Sequence, residues 1–178
     1  MLVSPRHLVR DSRGVAAVEF ALLLPILMLL YFGVVELTQG LMTQQRTSHV
    51  AATVGDLASQ SSTLTSADVA DIFSVGTEVM YPYPTTSLKL RVSVLTDDTN
   101  GKVTVAWSQA SGMTPLSKGA SVSGLPTNVV VPGESVVLGE SQYTYTSVFG
   151  QIMPKPVVFS QKAYSHPRLS TTVTCADC

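Results

Sequence analysis

The chain has 178 residues, with 11 Lys and Arg against 12 Asp and Glu, a net charge of −1 and only 13% charged residues. Soluble domains carry about a quarter charged residues, so a charge-covered cytosolic enzyme and a general nucleic-acid binder are both disfavoured. The 40 Ser and Thr residues, set beside 45% apolar content, suit a β-rich exported head.

Charge is concentrated at the start. Residues 1–14 hold Arg6, Arg10 and Arg13 against Asp11, a net +2, and the remainder carries −3. Residues 15–35 then read VAAVEFALLLPILMLLYFGVV, with Glu19 as the one charged member. At about 1.5 Å per residue a helix of this length spans roughly 30 Å, the thickness of a bilayer core. Arginines before the stretch, against Glu36 and only Arg46 just after it, predict a single pass with a cytoplasmic N-terminus and an exported bulk. An ordinary secretory peptide would need a small-residue cleavage site after the apolar run, and the run continues into Tyr31-Phe32-Gly33-Val34-Val35-Glu36 without one.

The distinctive residues precede the run. Arg13-Gly14 is followed by Val15-Ala16-Ala17-Val18-Glu19-Phe20, then Pro25, with Glu36 closing the stretch. This pattern resembles the class III leader of type IV pilins and, more narrowly, the TadE/TadG-like pseudopilins of the tight-adherence (Tad/Flp) pilus system. The resemblance covers about residues 13–37. It implies a leader of residues 1–14, removed by a membrane-embedded prepilin peptidase between Gly14 and Val15 on the cytoplasmic side. It also implies residence in the bacterial inner membrane with a periplasmic head, incorporation into an extracellular pilus being one outcome. The implied partners are the major pilin, other pseudopilins, the inner-membrane assembly platform and the lipid bilayer. The implied role is a minor pseudopilin in pilus assembly, acting by binding, without enzymatic activity, cofactor or nucleic acid. The alternative is a signal-anchored periplasmic binding or sensing domain unrelated to pili.

The physics of the motif is independent of that resemblance. A carboxylate at helix-centre depth costs about 2.5–3.5 kcal/mol on insertion scales, and such residues usually mark function. Glu19 pairs with the new α-amine of Val15, in its own chain or a neighbour's, or else snorkels to water near the cytoplasmic face. Pro25 removes one helical hydrogen bond and loosens the helix around residues 21–25.

Helix signals continue beyond the membrane stretch (15–36) as a stalk over residues 37–60, where Val50, Ala51, Val54, Leu57 and Ala58 form an apolar stripe, and Gly40 and Gly55 weaken it. The head, residues 61–178, opens with a second helix, with Ser66 as N-cap and Asp68 and Asp71 in its first turn. Leu88, Leu90, Val92 and Val94 then alternate with polar residues, residues 97–101 turn the chain, and Val103, Val105 and Trp107 alternate on the return, which predicts a hairpin. Residues 109–133 read as a long Gly/Ser/Pro-rich loop, and strands are expected at about 134–149, with Tyr143 and Tyr145 on one face, and at 157–165. The fold class is α+β: a long transmembrane and stalk helix, then a small head with an antiparallel sheet.

Chemistry is sparse. His7, His49 and His166 lie far apart in sequence, and no HExxH, phosphate loop or metal-ligand spacing occurs. Gly133-Glu134-Ser135 and Gly139-Glu140-Ser141 do not complete G-x-S-x-G. Paired Asp97 and Asp98 fit a turn. Trp107, Tyr143 and Tyr145 fit a core better than a contact patch. Cys175 and Cys178 form C-A-D-C. A zinc site would need two further ligands and a redox motif a following helix, which leaves a local disulfide in an oxidising compartment as the expectation.

Overall fold

The computed structural model describes residues 14–97, 102–126, 129–130, 133–150 and 152–178. The leader before Gly14 and residues 98–101 of the expected hairpin turn lie outside these, whereas Asp97, expected in that turn, is the last residue of a strand and pairs with Val103. Helix α1 runs without a break from Val15 to Ser59, through Pro25. Strand β1 (Thr63–Leu64) and helix α2 (Ser66–Met80) follow. Four strands then form the main sheet: β2 (Leu88–Asp97), β3 (Val103–Ser111), β4 (Ser135–Tyr145) and β5 (Val157–Ser165). Their order is β3-β2-β4-β5, each neighbouring pair antiparallel. Strand β6 (Thr174–Cys175) returns to pair with β1 in parallel. The fold is α+β, a long apolar helix followed by a small head.

The sheet lies against the upper part of α1. Val50, Val54 and Ala58 of α1, Val69, Phe73 and Met80 of α2, and Leu90, Val92, Val94, Trp107, Val137, Tyr143 and Tyr145 of the sheet make one core. Trp107 donates its indole N–H to the Val173 carbonyl at 2.8 Å, which fixes the chain leading into β6. The two layers approach closely because glycines meet. A Cβ on Gly139 would collide with the Ala51 carbonyl oxygen and stand 2.8 Å from Gly55 N. Gly55, read from sequence as a weak point of the helix, is where β4 touches it.

Several expectations need correcting. The N-cap of α2 is Thr65, whose hydroxyl accepts from Asp68 N while Asp68 accepts from Thr65 N, a reciprocal capping box. Ser66 instead lies inside the helix, which extends to Met80. The hairpin carries a register shift: Val94 faces Trp107 but Leu95 faces Val105, leaving Ala106 as the extra residue. Trp107 therefore enters the main core, whereas Val105 joins Leu95 and Leu138 in a second cluster on the opposite face. That cluster is covered by Leu116, Ala120, Val122 and Leu125, so much of the stretch read as a long loop folds back over the sheet, bridged at Thr104 and Ser121.

Candidate functional site

The candidate site is α1 itself, with the head residues that grip it. From Gly14 to Tyr31 every residue is exposed, including Leu22, Leu23, Ile26, Leu29 and Leu30. An all-round apolar surface has no stable place in water, so this segment needs a nonaqueous environment or a partner. The helix is long and apolar enough to cross a membrane, compatible with a single-pass anchor. Gly14 precedes the helix without a side-chain cap, and a Cβ placed on it would meet nothing within 4 Å. Val15, Glu19 and Pro25 are exposed on the bare segment, with Glu19 one helical turn above Val15.

The grip begins abruptly. The buried residues of α1 start with Gly33, Glu36, Gly40, Thr43 and Thr47 and continue to Ser59, a stripe of mostly small residues at helical spacing. Among these, Glu36 is 1% exposed. Its Oε2 accepts the Ile152 N–H at 2.6 Å and the Met153 N–H at 3.4 Å, and Oε1 accepts from the Ser147 hydroxyl. Thus Glu36 holds the loop that follows β4. The sequence presented Glu36 only as the end of the apolar run; the usable signal was a lone acid at helical spacing with Gly33 and Gly40. Phe149 stacks on Phe32, ring centroids 4.9 Å apart. Arg46, higher on the same helix, donates to the carbonyls of Val79 and Tyr81 and so satisfies the end of α2.

Most of the residues weighed as chemistry have structural partners, although Asp97 Oδ1 is buried without a hydrogen bond. Ser141 Oγ donates to Thr47 O at 2.6 Å, and Ser135 Oγ to Thr171 O at 3.0 Å. Glu140 pairs with Arg91 at 2.6 Å and Lys162 at 3.4 Å, directly opposite it on both neighbouring strands. Trp107, Tyr143 and Tyr145 are core, and burial pushes both tyrosine hydroxyls above their ordinary pKa. His49 and His166 are exposed. Cys175 and Cys178 are joined by a disulfide, Cα–Cα 5.5 Å. Asp177 lies within ligand reach of both sulfurs, but its carboxylate accepts from Ser66 N at 2.6 Å and Ser66 Oγ at 2.7 Å. Disulfide sulfurs are not thiolate ligands, so the cluster offers a cation only this one engaged carboxylate.

The family model described as TadE-like protein matches residues 14–56. Over this segment the chain is similar to the TadE-like family. The match starts at Gly14 and spans the bare part of α1 and most of its packed part, ending beside the Gly55–Gly139 contact. No curated protein and no solved structure matches the chain significantly.

Proposed function

We propose that this TadE-like chain is a minor pseudopilin acting in assembly of a Tad/Flp-type adhesive pilus, after a prepilin peptidase cuts between Gly14 and Val15. The observation that carries this reading is the TadE-like match beginning at Gly14, where the uncapped, fully exposed apolar helix also begins. The protein sits in the inner membrane with its N-terminus cytoplasmic and its head periplasmic, as the arginines before the span direct. It works by binding the major pilin, other pseudopilins and the assembly platform, and catalyses no reaction itself.

Cleavage frees an α-amine on Val15, one turn from Glu19. Pairing of that amine with Glu19, within one chain or between neighbours, offsets the cost of a carboxylate in lipid and gives the helix a directional contact. Pro25 leaves the helix softer between this contact and the head.

Intact mass of the membrane-extracted protein tests the reading. Loss of residues 1–14 is expected, and Gly14→Val blocks it while insertion persists. An uncut wild-type chain would instead favour a signal-anchored binding domain. Glu19→Leu should insert at least as well as wild type yet lose co-purification with pilins; unchanged pilus production in that variant removes the charge-pairing role.

A further inference from the structure

Strand β4 and the chain after it descend α1 toward its bare end, one contact at a time. Gly139 meets Ala51 and Gly55, and Ser141 bonds Thr47. Tyr145 Cε1 would stand 3.9 Å from a Cβ on Gly40, Ser147 bonds Glu36, and Phe149 stacks on Phe32. This staircase puts residues 148–150 and Ile152 level with residues 32–36, where the all-round exposure of α1 ends. At that level the loop leaves apolar side chains at the surface: Val148 is 88% exposed, while Phe149 (45%) packs one side of its ring on Phe32 and Ile152 (47%) rests its Cδ1 against Gly33, each keeping the rest of its side chain open. Tyr31 stands beside them, 64% exposed and edge-on to Phe32 with centroids 5.6 Å apart.

We propose that this loop seats the head on the bilayer, with Val148, Phe149 and Ile152 entering the headgroup boundary of the leaflet from which α1 emerges. The proposal rests on reading residues 15–36 as the membrane span, whose outer end the loop meets. The occupant is lipid because the patch is continuous with the lipid-facing surface of the helix and flanked by an aromatic pair at the depth where aromatic belts form. Small apolar loops that enter an interface gain from burial of exactly such side chains without crossing it. Glu36 makes the seat stiff: its hydrogen bonds to Ser147, Ile152 and Met153 hold the loop at one height, so the head stands at a fixed distance above the lipid. Exposed Lys155, three residues on, suits an anionic surface.

The test places single tryptophans in the full chain, reconstituted in vesicles of phosphatidylethanolamine and phosphatidylglycerol carrying brominated acyl chains. Trp107 emission, measured in the wild type, is subtracted. Phe149→Trp probes the seat and Leu24→Trp the span. Leu169→Trp is the distant control, since Leu169 is 72% exposed and follows Arg168, whose amide bonds Ser59 O at the other end of α1. Phe149→Trp should lose emission to bromine near the headgroups more than to bromine deep in the chains, Leu24→Trp should show the reverse order, and Leu169→Trp should lose none. Quenching at Leu24→Trp with none at Phe149→Trp overturns the seat alone. No quenching at Leu24→Trp overturns the span and the seat together. A Phe149→Trp shielded from both lipid bromine and aqueous acrylamide assigns the patch to a protein partner and also overturns the proposal.

Discussion

The two halves of α1 belong to one uninterrupted helix and obey opposite rules. From Val15 to Tyr31 every residue is exposed, most of them large and apolar. From Gly33 to Ser59 the buried stripe is built largely from Gly, Ala, Ser and Thr, which let the backbone of β4 come close. Apart from Glu19, the lower half is specified by apolar bulk. The upper half is specified by small size, and a single added methyl group is felt.

The sharpest way to break this contrast is Gly139→Val. Its Cβ would overlap the Ala51 carbonyl, a backbone atom that cannot step aside. A loss of about 3 kcal/mol or more is expected in head stability, read as a lowered thermal midpoint in detergent, whereas Leu27→Ala in the bare half leaves the midpoint unchanged. Equal effects of the two substitutions would erase the distinction. Glu36→Ala comes next. It strips the partner from two loop amides and a hydroxyl in a site 1% exposed, for about 2–3 kcal/mol, and hydrogen exchange at Ile152 and Met153 should accelerate before any other head amide. Protection unchanged at those two amides means that the loop is held by packing alone.

Thr65→Ala removes one side of the capping box of α2 and should cost about 1 kcal/mol, measured by chemical denaturation, with the lower half of α1 unaffected. The smallest effect is acidic. Hydrogen bonds with Thr65 hold Asp68 below its ordinary pKa, and bonds from Ser66 do the same for Asp177. A carboxyl lowered in the folded state stabilises fully above its unfolded value, here about 3.8, and that contribution disappears as pH falls through the lowered value. Head stability should therefore decline below about pH 4, and Asp177→Asn should flatten part of the decline. An identical acid slope in the variant would exclude Asp177 as a source.

How much of this was legible depended on the range of the interaction. The extent of α1 followed from apolar continuity and the Val50, Val54, Ala58 stripe, both local signals. The hairpin followed from alternation, yet one extra residue at Ala106 sent Val105 and Trp107 to opposite faces, and no period-two pattern announces a bulge. Neither the β1 pairing with β6 nor the hold of Glu36 on Ser147, Ile152 and Met153 could be read, because each joins positions more than 100 apart and depends on where the sheet places the chain. The TadE-like resemblance was legible for a different reason: its pattern lies along one helix and needs no tertiary partner in the chain to be seen.

The pairing of β1 with β6 also sets a clock. Ser66 at the head of α2 receives the Asp177 carboxylate, and Thr63 its partner Thr174, each across 111 residues of chain. At a synthesis rate of about 5–20 residues per second, the start of the head waits on the order of ten seconds for the segment that closes it. During that interval α1 is complete and can already engage lipid, while α2 lacks its Asp177 contact and Trp107 its acceptor at Val173. Helix α1 is thus made first, and the head lacks these closing contacts until residues 173–177 emerge.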